Sequence, residues 1–591
     1  MLATISDVAD KSFDYVVVGA GTAGLAVAAR LSEDPNVSVA VLEAGPPNLN
    51  DPKILLSAQF AQTFKDPKPK QDGLAVDWAR GKGLGGTSGM NFLCYIRPPA
   101  EDIDAIGKLG NDGWNWENYL AYAKLTESFH PAAPEHTAVY PHTSVLKNHG
   151  TSGPVQTSTP HHVHTVDLLF RESCKNRGLP LLEDPYGGDI TGMWMASATM
   201  DPKTWTRSNA ATAYYVPNKD RKNFTVLTEA FASRVLFADA NDNADITATG
   251  VEFIHEGKTY TVHAKKEVVL SAGTIKSPHI LELSGIGRPE ILKSIGVPVK
   301  VDLPGVGENL QEHCLANFTL EMEGDHETLD KMRDADFLQE QQKLHASGKG
   351  LCRTGITSFA YFSLETASPS DAPAMIKSLE AEIDTRKANA PPGLKEQWDL
   401  QLEILRNNKV PDLEIVVVPG YMIASTPFEK GKSYLTMELI SQHPFSRGHI
   451  HATSKNPLDA PAIDPKVFDF DYDLESMVQL MEYARSLKTV EPWKSAVRKE
   501  LDPAPNATHE ELRDYIKKRS GPCWHAIGSC SMLPREKNGV VDSKLKVYGT
   551  TNLRVADISI IPLHISAHTQ ATAYVIGEKG KVKISFFRIP R

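Results

Sequence analysis

The pattern of apolar and polar positions near the N-terminus predicts a strand, a glycine turn, a helix and a second strand between residues 13 and 45. Tyr15–Val18 is an apolar run that ends at a glycine, as expected for a parallel strand buried on both faces. Ala23–Leu31 has few large side chains, which favours a helix lying close against a sheet. Val37–Leu42 alternates and is followed by Glu43. Together these elements predict a βαβ unit.

Farther along the chain, a different pattern predicts a second domain. Alternating positions in "DLEIVVVPGYM" and "SYLTMELISQHP" predict strands of an antiparallel sheet. Residues 324–412 are charged, helix-prone and interrupted by "SPSDAPA" and "NAPPG", which predicts a helical insertion or a surface excursion over the second domain. We therefore expect an α/β fold, α+β overall, in which a Rossmann-like N-terminal domain is joined to a domain of antiparallel sheet and helices.

Composition narrows the class of partner. A chain of 591 residues is too long for one hydrophobic core, and its net charge of -10 argues against nucleic acid or an anionic membrane surface as the main partner. The six cysteines form no CxxC pair and no zinc-like spacing with histidine, so we expect no metal site. Cys523 and Cys530 are expected to be free thiols. We see neither a signal peptide nor a membrane-length apolar run, which predicts an intracellular, cytoplasmic protein unless a leader was removed.

The glycine turn has the spacing of a dinucleotide-binding motif. "GAGTAG" places Gly19, Gly21 and Gly24 in the GxGxxG pattern, which allows a tight turn, a close approach to a pyrophosphate and close packing of helix on strand. Glu43 follows about 20 residues later, where a carboxylate accepts hydrogen bonds from ribose hydroxyls. The motif alone does not choose between NAD and FAD. Further contacts are predicted from Thr22, Ala23 and Ala44.

Other stretches resemble the glucose–methanol–choline (GMC) oxidoreductases, which depend on FAD. The resemblance is carried by "GKGLGGTSGMNFLCYIRP" at 81–98, "GTIKSPHILELSGIG" at 273–287, "LPGVGENLQEH" at 303–313, and the C-terminal "WHAIGSCSM" and "NLRVADISIIPLHISAHTQATAYVIGEKG". With the glycine motif, these landmarks cover nearly the whole chain in the expected order. The last stretch is most similar to the aryl-alcohol-oxidase and formate-oxidase side of the family.

The resemblance implies a discontinuous FAD-binding domain and the residues that hold the cofactor. The FAD domain is expected to comprise 13–105, 220–312 and 540–585, and the substrate domain 106–219 and 313–539. Some family members attach flavin covalently to a histidine where this chain has Met90, so we expect non-covalent FAD. The implied cofactor contacts are Gly85, Gly86, Thr87, Ser88, Asn91, Phe92, Ala232, Asp557, Thr569 and Gln570.

Two C-terminal histidines are the candidate catalytic residues. The resemblance places His525 and His568 in front of the reactive edge of the flavin, with His525 as the general base and His568 binding the alcohol oxygen. An imidazole with an ordinary pKa of about 6.5 suits a base at neutral pH. Phe92, Tyr95 and Trp524 are candidate walls of an apolar substrate pocket, although ordinary core packing would explain them equally well.

The predicted activity is oxidation of a small primary alcohol (aryl, allylic or aliphatic) to an aldehyde, with O2 as the acceptor and H2O2 as the product. A lyase or cyclase that keeps flavin as a structural group is the main alternative. A non-catalytic FAD-binding protein, a nicotinamide dehydrogenase and a light-driven decarboxylase fit the motifs less well. The identity of the alcohol, the use of O2 or another acceptor, and the choice between monomer and homodimer stay open.

Overall fold

Two seven-stranded sheets organise the computed structural model, which describes residues 2–56, 78–239, 245–422 and 425–584. In the first sheet, parallel strands occupy one side and antiparallel strands the other. Its strands, in spatial order, are Phe224–Leu227, Val39–Leu42, Ser12–Val18, Lys258–Leu270, Ala248–His255 and Phe231–Phe237, with Leu553–Val555 paired to Lys258–Leu270.

The predicted βαβ unit is confirmed and lies at the centre of the first sheet. Ser12–Val18 and Val39–Leu42 are its strands and Thr22–Leu31 is its helix. The C-terminal helix Gln570–Ile584 packs closely on this helix through small residues. The approach requires glycine at 577, because an added Cβ there would lie 2.7 Å from the carbonyl oxygen of Ala23. The N-terminal βαβ unit and the helix Gln570–Ile584 therefore meet beside the glycine turn.

The second sheet is antiparallel, as the alternation predicts. Its strands, in spatial order, are Val497–Asp502, Cys314–Met322, Tyr434–Ser441, Leu413–Val418, Ser358–Phe362 and Gly192–Met195, with Gly521–Pro522 paired to Cys314–Met322. Side chains on one face of this sheet pack against helices. Side chains on the other face are part of the same apolar cluster as the side chains of the first sheet. The two sheets thus share a boundary at which a site can form.

Residues 324–412 are helical for the most part, but they are not only an insertion. Their longer helices are Ala335–Ala346, Ala372–Arg386 and Leu394–Leu405. Between them, Ser358–Phe362 forms an inner strand of the second sheet, and all of its residues are buried. The expectation of a surface excursion is therefore wrong for this strand. A short, mostly apolar run between helical segments carries no periodicity that distinguishes a buried strand from a helix.

The remaining elements surround the two sheets. A four-stranded sheet joins Cys94–Tyr95, Ser197–Ala198, Val155–Ser158 and Glu127–His130. Helices outside the segments already named include Ala100–Lys108, Trp116–Thr126, Thr165–Asn176, Gly273–Leu283, Pro289–Ser294, Asp471–Ser486 and His509–Arg519. In the described ranges, no helix combines the length and the apolar character that crossing a bilayer requires. All six cysteines lie in the described part of the chain, are buried and form no disulfide, including Cys523 and Cys530.

The strands of each sheet come from the parts of the chain assigned to each predicted domain. Those of the first sheet lie within 13–105, 220–312 and 540–585, apart from Ser12 at one end, and those of the second lie within 106–219 and 313–539. The mixed architecture confirms the fold class. The limits of the two domains stay a prediction.

Candidate active site

A cavity of about 1160 Å³ lies where the two sheets meet. The glycine turn and Glu43 line one part of it, while His525 and His568 line another. Most of the residues predicted from sequence are brought together here: Gly19, Gly21, Thr22, Ala23, Glu43, Ala44, Gly86, Thr87, Ser88, Asn91, Phe92, Ala232, Trp524, His525, Asp557, His568, Thr569 and Gln570.

Two glycine turns approach each other so closely that no side chain fits between them. A Cβ on Gly86 in the second turn would lie 2.6 Å from the Cα of Gly21 in the first. Within the first turn, a Cβ on Gly24 would lie 2.0 Å from the carbonyl oxygen of Gly19. Gly21 is also the N-cap of Thr22–Leu31, and no side chain caps that helix. Because its first N–H groups have no partner within the helix, this end suits a phosphate. The cradle therefore fits a dinucleotide.

Buried carboxylates hold the walls of this cradle. Glu43 accepts hydrogen bonds from the backbone N–H groups of Ala20, Gly45 and Gly83, at 2.9, 2.8 and 3.1 Å. Asp557 accepts from the N–H of Gly273 at 2.9 Å and from the hydroxyl of Ser277 at 2.6 Å, and it also binds Ser559. Each carboxylate thus ties two or more loops together at the cavity.

Gly85 and Asn91, both predicted to contact the cofactor, have different positions relative to the cavity. Gly85 does not line the cavity. It has a left-handed φ of 97° and its N–H donates to the carbonyl of Ala20, so it shapes the turn. Asn91 does line the cavity, and its Oδ1 accepts from Arg207 Nη1 at 2.6 Å and from the N–H of Leu93 at 3.1 Å. Its amide NH2 is the group left to donate to a ligand.

The two predicted histidines are neighbours, with ring centroids 4.8 Å apart. They come from separate turns, and His568 lies two residues before the C-terminal helix, which begins at Gln570. His568 Nε2 lies 2.9 Å from Glu414 Oε1, and His525 Nδ1 lies 3.0 Å from His313 Nδ1. The pair therefore has different partners, one a carboxylate and the other an imidazole.

These partners give the two rings different protonation states. Burial lowers the pKa of His525 well below its ordinary value, and the nearby His568, His313 and Arg80 lower it further. Burial also lowers the pKa of His568, but the Glu414 carboxylate, together with the nearby Cys94, outweighs it and raises that pKa to about 10. At neutral pH a neutral His525 therefore lies beside a protonated His568. The first can accept a proton and the second can donate a hydrogen bond.

The environment of His525 also determines which nitrogen is available. For Nε2 to accept a proton, the Nδ1–H of His525 must donate to His313 Nδ1. His313 is buried, its pKa is well below the ordinary value because of burial and neighbouring histidines, and it stacks on His564 at a centroid separation of 3.6 Å. A neutral His313 can accept the Nδ1–H and position the His525 ring.

Glu312 holds the backbone of the same turn. Its Oε1 accepts the N–H of His525 at 2.6 Å, and its Oε2 accepts Trp78 Nε1 at 2.8 Å. Arg80 donates to the carbonyl oxygen of Trp524, a residue with a left-handed φ of 60°. A buried carboxylate and a partly buried guanidinium thus stabilise a strained turn next to the proposed base.

The predicted pocket walls divide into two groups. Phe92 and Trp524 line the cavity, with their rings 6.4 Å apart. Tyr95 is fully buried, is not among the cavity-lining residues, and its hydroxyl lies 3.0 Å from the hydroxyl of Thr126. The prediction of Tyr95 as a pocket wall is therefore corrected, because its strand directs it into the core.

Comparison with known proteins identifies the family. Residues 13–315 and 444–577 match the N-terminal and C-terminal domains of the GMC oxidoreductases. The chain belongs to the GMC oxidoreductase family. A dehydrogenase of Monascus purpureus is 33% identical over 612 residues, covering 97% of this GMC oxidoreductase and 96% of the dehydrogenase.

Solved structures of the family superpose over almost the whole chain. An FAD-dependent oxidoreductase from Chaetomium thermophilum has a TM-score of 0.88 at 30% identity, covering 97% of this chain and 99% of that one. A fungal aryl-alcohol oxidase has a TM-score of 0.84 at 25% identity, covering 97% of this chain and 98% of that one. This GMC oxidoreductase is accordingly an FAD-dependent oxidoreductase, and the predicted resemblance to the aryl-alcohol-oxidase side is confirmed.

The residues of this GMC oxidoreductase that contact and position the two histidines were not identified from the sequence. Glu414 lies in the buried strand Leu413–Val418, where a single acid among apolar residues was a usable signal. Glu312 and His313 end the quoted stretch "LPGVGENLQEH". Glu438, the one acid in the buried strand Tyr434–Ser441, carried the same signal, whereas Arg80, which also lines the cavity, carried none in one sequence.

A group of potential metal ligands lies outside this cavity. His162, His164 and Glu327 place one ligand atom each within 4.8 Å of one another, and His162 Nε2 is 2.7 Å from Glu327 Oε1. The sequence spacing of cysteine and histidine did not predict this juxtaposition. Since none of the three lines the cavity, the group does not bear on the chemistry of the two catalytic candidates.

Proposed function

We propose that this GMC oxidoreductase oxidises a small primary alcohol (aryl, allylic or aliphatic) to an aldehyde, with O2 as the acceptor and H2O2 as the product. The observation that carries the proposal is the pairing of a neutral His525 with a protonated His568 in one cavity with the cofactor cradle. Alcohol oxidation needs both a base for the hydroxyl proton and a donor to the alcohol oxygen.

Each residue has a stated part in the proposed reaction. His568, held by Glu414, donates a hydrogen bond to the alcohol oxygen and orients the carbinol. His525 Nε2 accepts the hydroxyl proton, while His313 and Glu312 position its ring and backbone. The cradle at Gly21 and Gly86 would hold FAD, which would supply the acceptor for the carbinol hydrogen as a hydride. The aromatic rings of Phe92 and Trp524 limit access of water to the reacting carbon.

The proposal is tested by mixing the FAD-loaded protein, without oxygen, with aryl, allylic, aliphatic and sugar alcohols and with formate. Rapid bleaching of the flavin absorbance by an alcohol is the expected result, followed by recolouring and peroxide formation in air. Slow recolouring would point to a dehydrogenase that uses another acceptor. Bound FAD that no alcohol bleaches would contradict the proposal and favour the lyase or cyclase alternative.

The role of His568 predicts a loss of activity at alkaline pH. Because His568 acts as a protonated donor with a pKa of about 10, flavin reduction is expected below that pKa and declines as the pH rises through it. In Glu414→Gln the carboxylate that raises the pKa is gone, so the decline shifts to lower pH and the rate at neutral pH falls about 10-fold or more. Stopped-flow reduction between pH 6 and pH 10.5, roughly spanning both forms of the imidazole, measures the shift.

The matched control for this pH profile is Glu403→Gln. Glu403 forms an exposed ion pair with Lys108, with a side chain 63% exposed, and should leave the profile unchanged. An alkaline limb at the same pH in Glu414→Gln and in the parent protein would contradict the assigned role of Glu414.

We also propose that FAD is bound without a covalent link. Met90 lines the cavity at the position where the resemblance places a flavinylated histidine in other family members, and a thioether does not form that bond under ordinary conditions. Acid precipitation is expected to leave all of the flavin in the supernatant. A yellow pellet that keeps its flavin after washing in denaturant would overturn this prediction.

A further inference from the structure

The two faces of the second sheet differ in character. Along Tyr434–Ser441, Leu435, Met437 and Leu439 belong to the apolar cluster on the helical side. Side chains on a strand alternate between faces, so Glu438 is on the opposite face, which it shares with Ile440. Glu438 lines the active-site cavity from this face.

Glu438 is a close neighbour of the residue that holds His568. It pairs directly with Val416 on the adjacent strand, and Glu414 is two residues from Val416 on the same face. Such diagonal positions are about 7–8 Å apart between Cα atoms. Glu438 therefore lies one strand away from the carboxylate that orients the proposed alcohol-binding histidine.

The carboxylates of Glu414 and Glu438 differ in their hydrogen-bond partners. Glu414 Oε1 is 2.9 Å from His568 Nε2, and its Oε2 accepts Gln442 Nε2 at 2.7 Å. Within the described ranges, no hydrogen bond to the carboxylate of Glu438 is found, although the residue is only 9% exposed. The Glu438 carboxylate therefore faces the cavity without a donor from the described residues, and a ligand that fills the cavity would have to supply one.

Apolar side chains line the cavity near Glu438, although Asn317 on Cys314–Met322 is directly opposite it on the same face. Leu315, Ile356 and Val416 line the same part of the cavity from the second sheet and the segment before Ser358–Phe362. Burial raises the pKa of Glu438 to about 7 and Glu414 raises it as well, while His568 acts in the opposite direction. A small organic molecule could thus place its hydrocarbon part on the apolar residues and one polar group on Glu438.

We propose that Glu438 is a specificity-determining residue that accepts a hydrogen bond from a second donor group of the substrate, either a hydroxyl or a protonated amine. This inference rests on the proposed alcohol oxidation. The preferred substrates are then primary alcohols that carry such a donor at the end away from the carbinol. A site built around a buried acceptor discriminates against analogues that lack the donor, because its own group is then left unpaired.

The test compares three alcohols of similar shape as reductants of the FAD-loaded protein without oxygen. Para-methylbenzyl alcohol has no second donor, para-hydroxybenzyl alcohol has a neutral hydroxyl, and para-(aminomethyl)benzyl alcohol has a cationic amine. At pH 8, roughly one unit above the raised pKa, Glu438 is mostly ionised. At least one donor-bearing alcohol is expected to give a ratio of reduction rate to Kd about 10–100-fold higher than the methyl analogue.

Two variants distinguish the acceptor role from a structural one. Glu438→Leu should remove the preference by raising Kd for the donor-bearing alcohol, while para-methylbenzyl alcohol still bleaches the flavin. Glu438→Gln keeps an acceptor oxygen, so it should retain the preference for a hydroxyl but lose a preference for the cationic amine. Calorimetric binding of para-cresol, which has the hydroxyl but no carbinol, gives a readout independent of turnover and should weaken in Glu438→Leu.

The outcomes separate this inference from the activity on which it rests. Equal ratios for all three alcohols, or an unchanged preference in Glu438→Leu, would overturn the role of Glu438 and leave alcohol oxidation standing. No bleaching by any of the three or by the wider panel of alcohols would overturn the proposed oxidation and this inference with it. The control is Glu429→Gln, an acid whose side chain is 55% exposed and pairs with Lys432, and it should leave the preference unchanged.

Discussion

His525→Ala is expected to lower the rate constant of flavin reduction by a substrate alcohol about 10²–10⁴-fold. Alanine removes the only neutral imidazole that the proposed mechanism assigns to the hydroxyl proton. His568, 4.8 Å away between ring centroids, cannot replace it because Glu414 keeps it protonated. Anaerobic stopped-flow mixing measures the rate, and the absorbance of the purified variant measures whether FAD is still bound.

The loss should be specific to the chemical step. His509→Ala is the matched control, because His509 is an exposed helical residue whose side chain is 42% exposed and pairs with Glu475 and Glu482. It should reduce at the parental rate. Added imidazole should restore part of the activity of His525→Ala, since the missing ring leaves space in the cavity. A parental rate in FAD-loaded His525→Ala would remove His525 from the proposed role.

Gly86→Ala is expected to weaken FAD binding by about 10²-fold or more. A Cβ at this position would lie 2.6 Å from the Cα of Gly21, a backbone atom that cannot move without shifting the first glycine turn, and φ here is +54°. Overpacking costs about 1–3 kcal/mol and a left-handed φ about 1–2 kcal/mol more, and each 1.4 kcal/mol changes an equilibrium tenfold. Titration of the apoprotein with FAD measures Kd.

The effect of the clash can be separated from that of the backbone strain. Gly257→Ala is the matched control, because Gly257 has φ of +74° in the turn between Ala248–His255 and Lys258–Leu270, with nothing within 4 Å of an added Cβ. It should lose a little stability and keep its affinity for FAD. Circular dichroism establishes that Gly86→Ala is folded. A folded Gly86→Ala that binds FAD as tightly as the parent protein would show that the cradle is not where the cofactor binds.

The local sequence pattern was sufficient to predict the nucleotide-binding end of the site. The order of strand, glycine turn, helix and acid is set by residues close together in the chain, and each has a local cause: buried apolar runs, φ values open to glycine, and an uncapped helix start. The position of Glu43 followed from the same unit. Its actual partners, three backbone N–H groups that include Gly83, were not visible in the pattern because Gly83 is 40 residues away.

The end of the site that contains His525 and His568 depends on contacts between residues that are far apart in the sequence. The sequence by itself determined that the chain has the motifs of a GMC oxidoreductase and that His525 and His568 are its notable histidines. Only the tertiary structure decided that Glu414 pairs with His568, that His313 faces His525, that Tyr95 is in the core and that Glu438 lines the cavity. The physical reason is that charge state and burial are set by neighbours in space. Glu414 is separated from His568 by 154 residues, and no local pattern encodes that pairing.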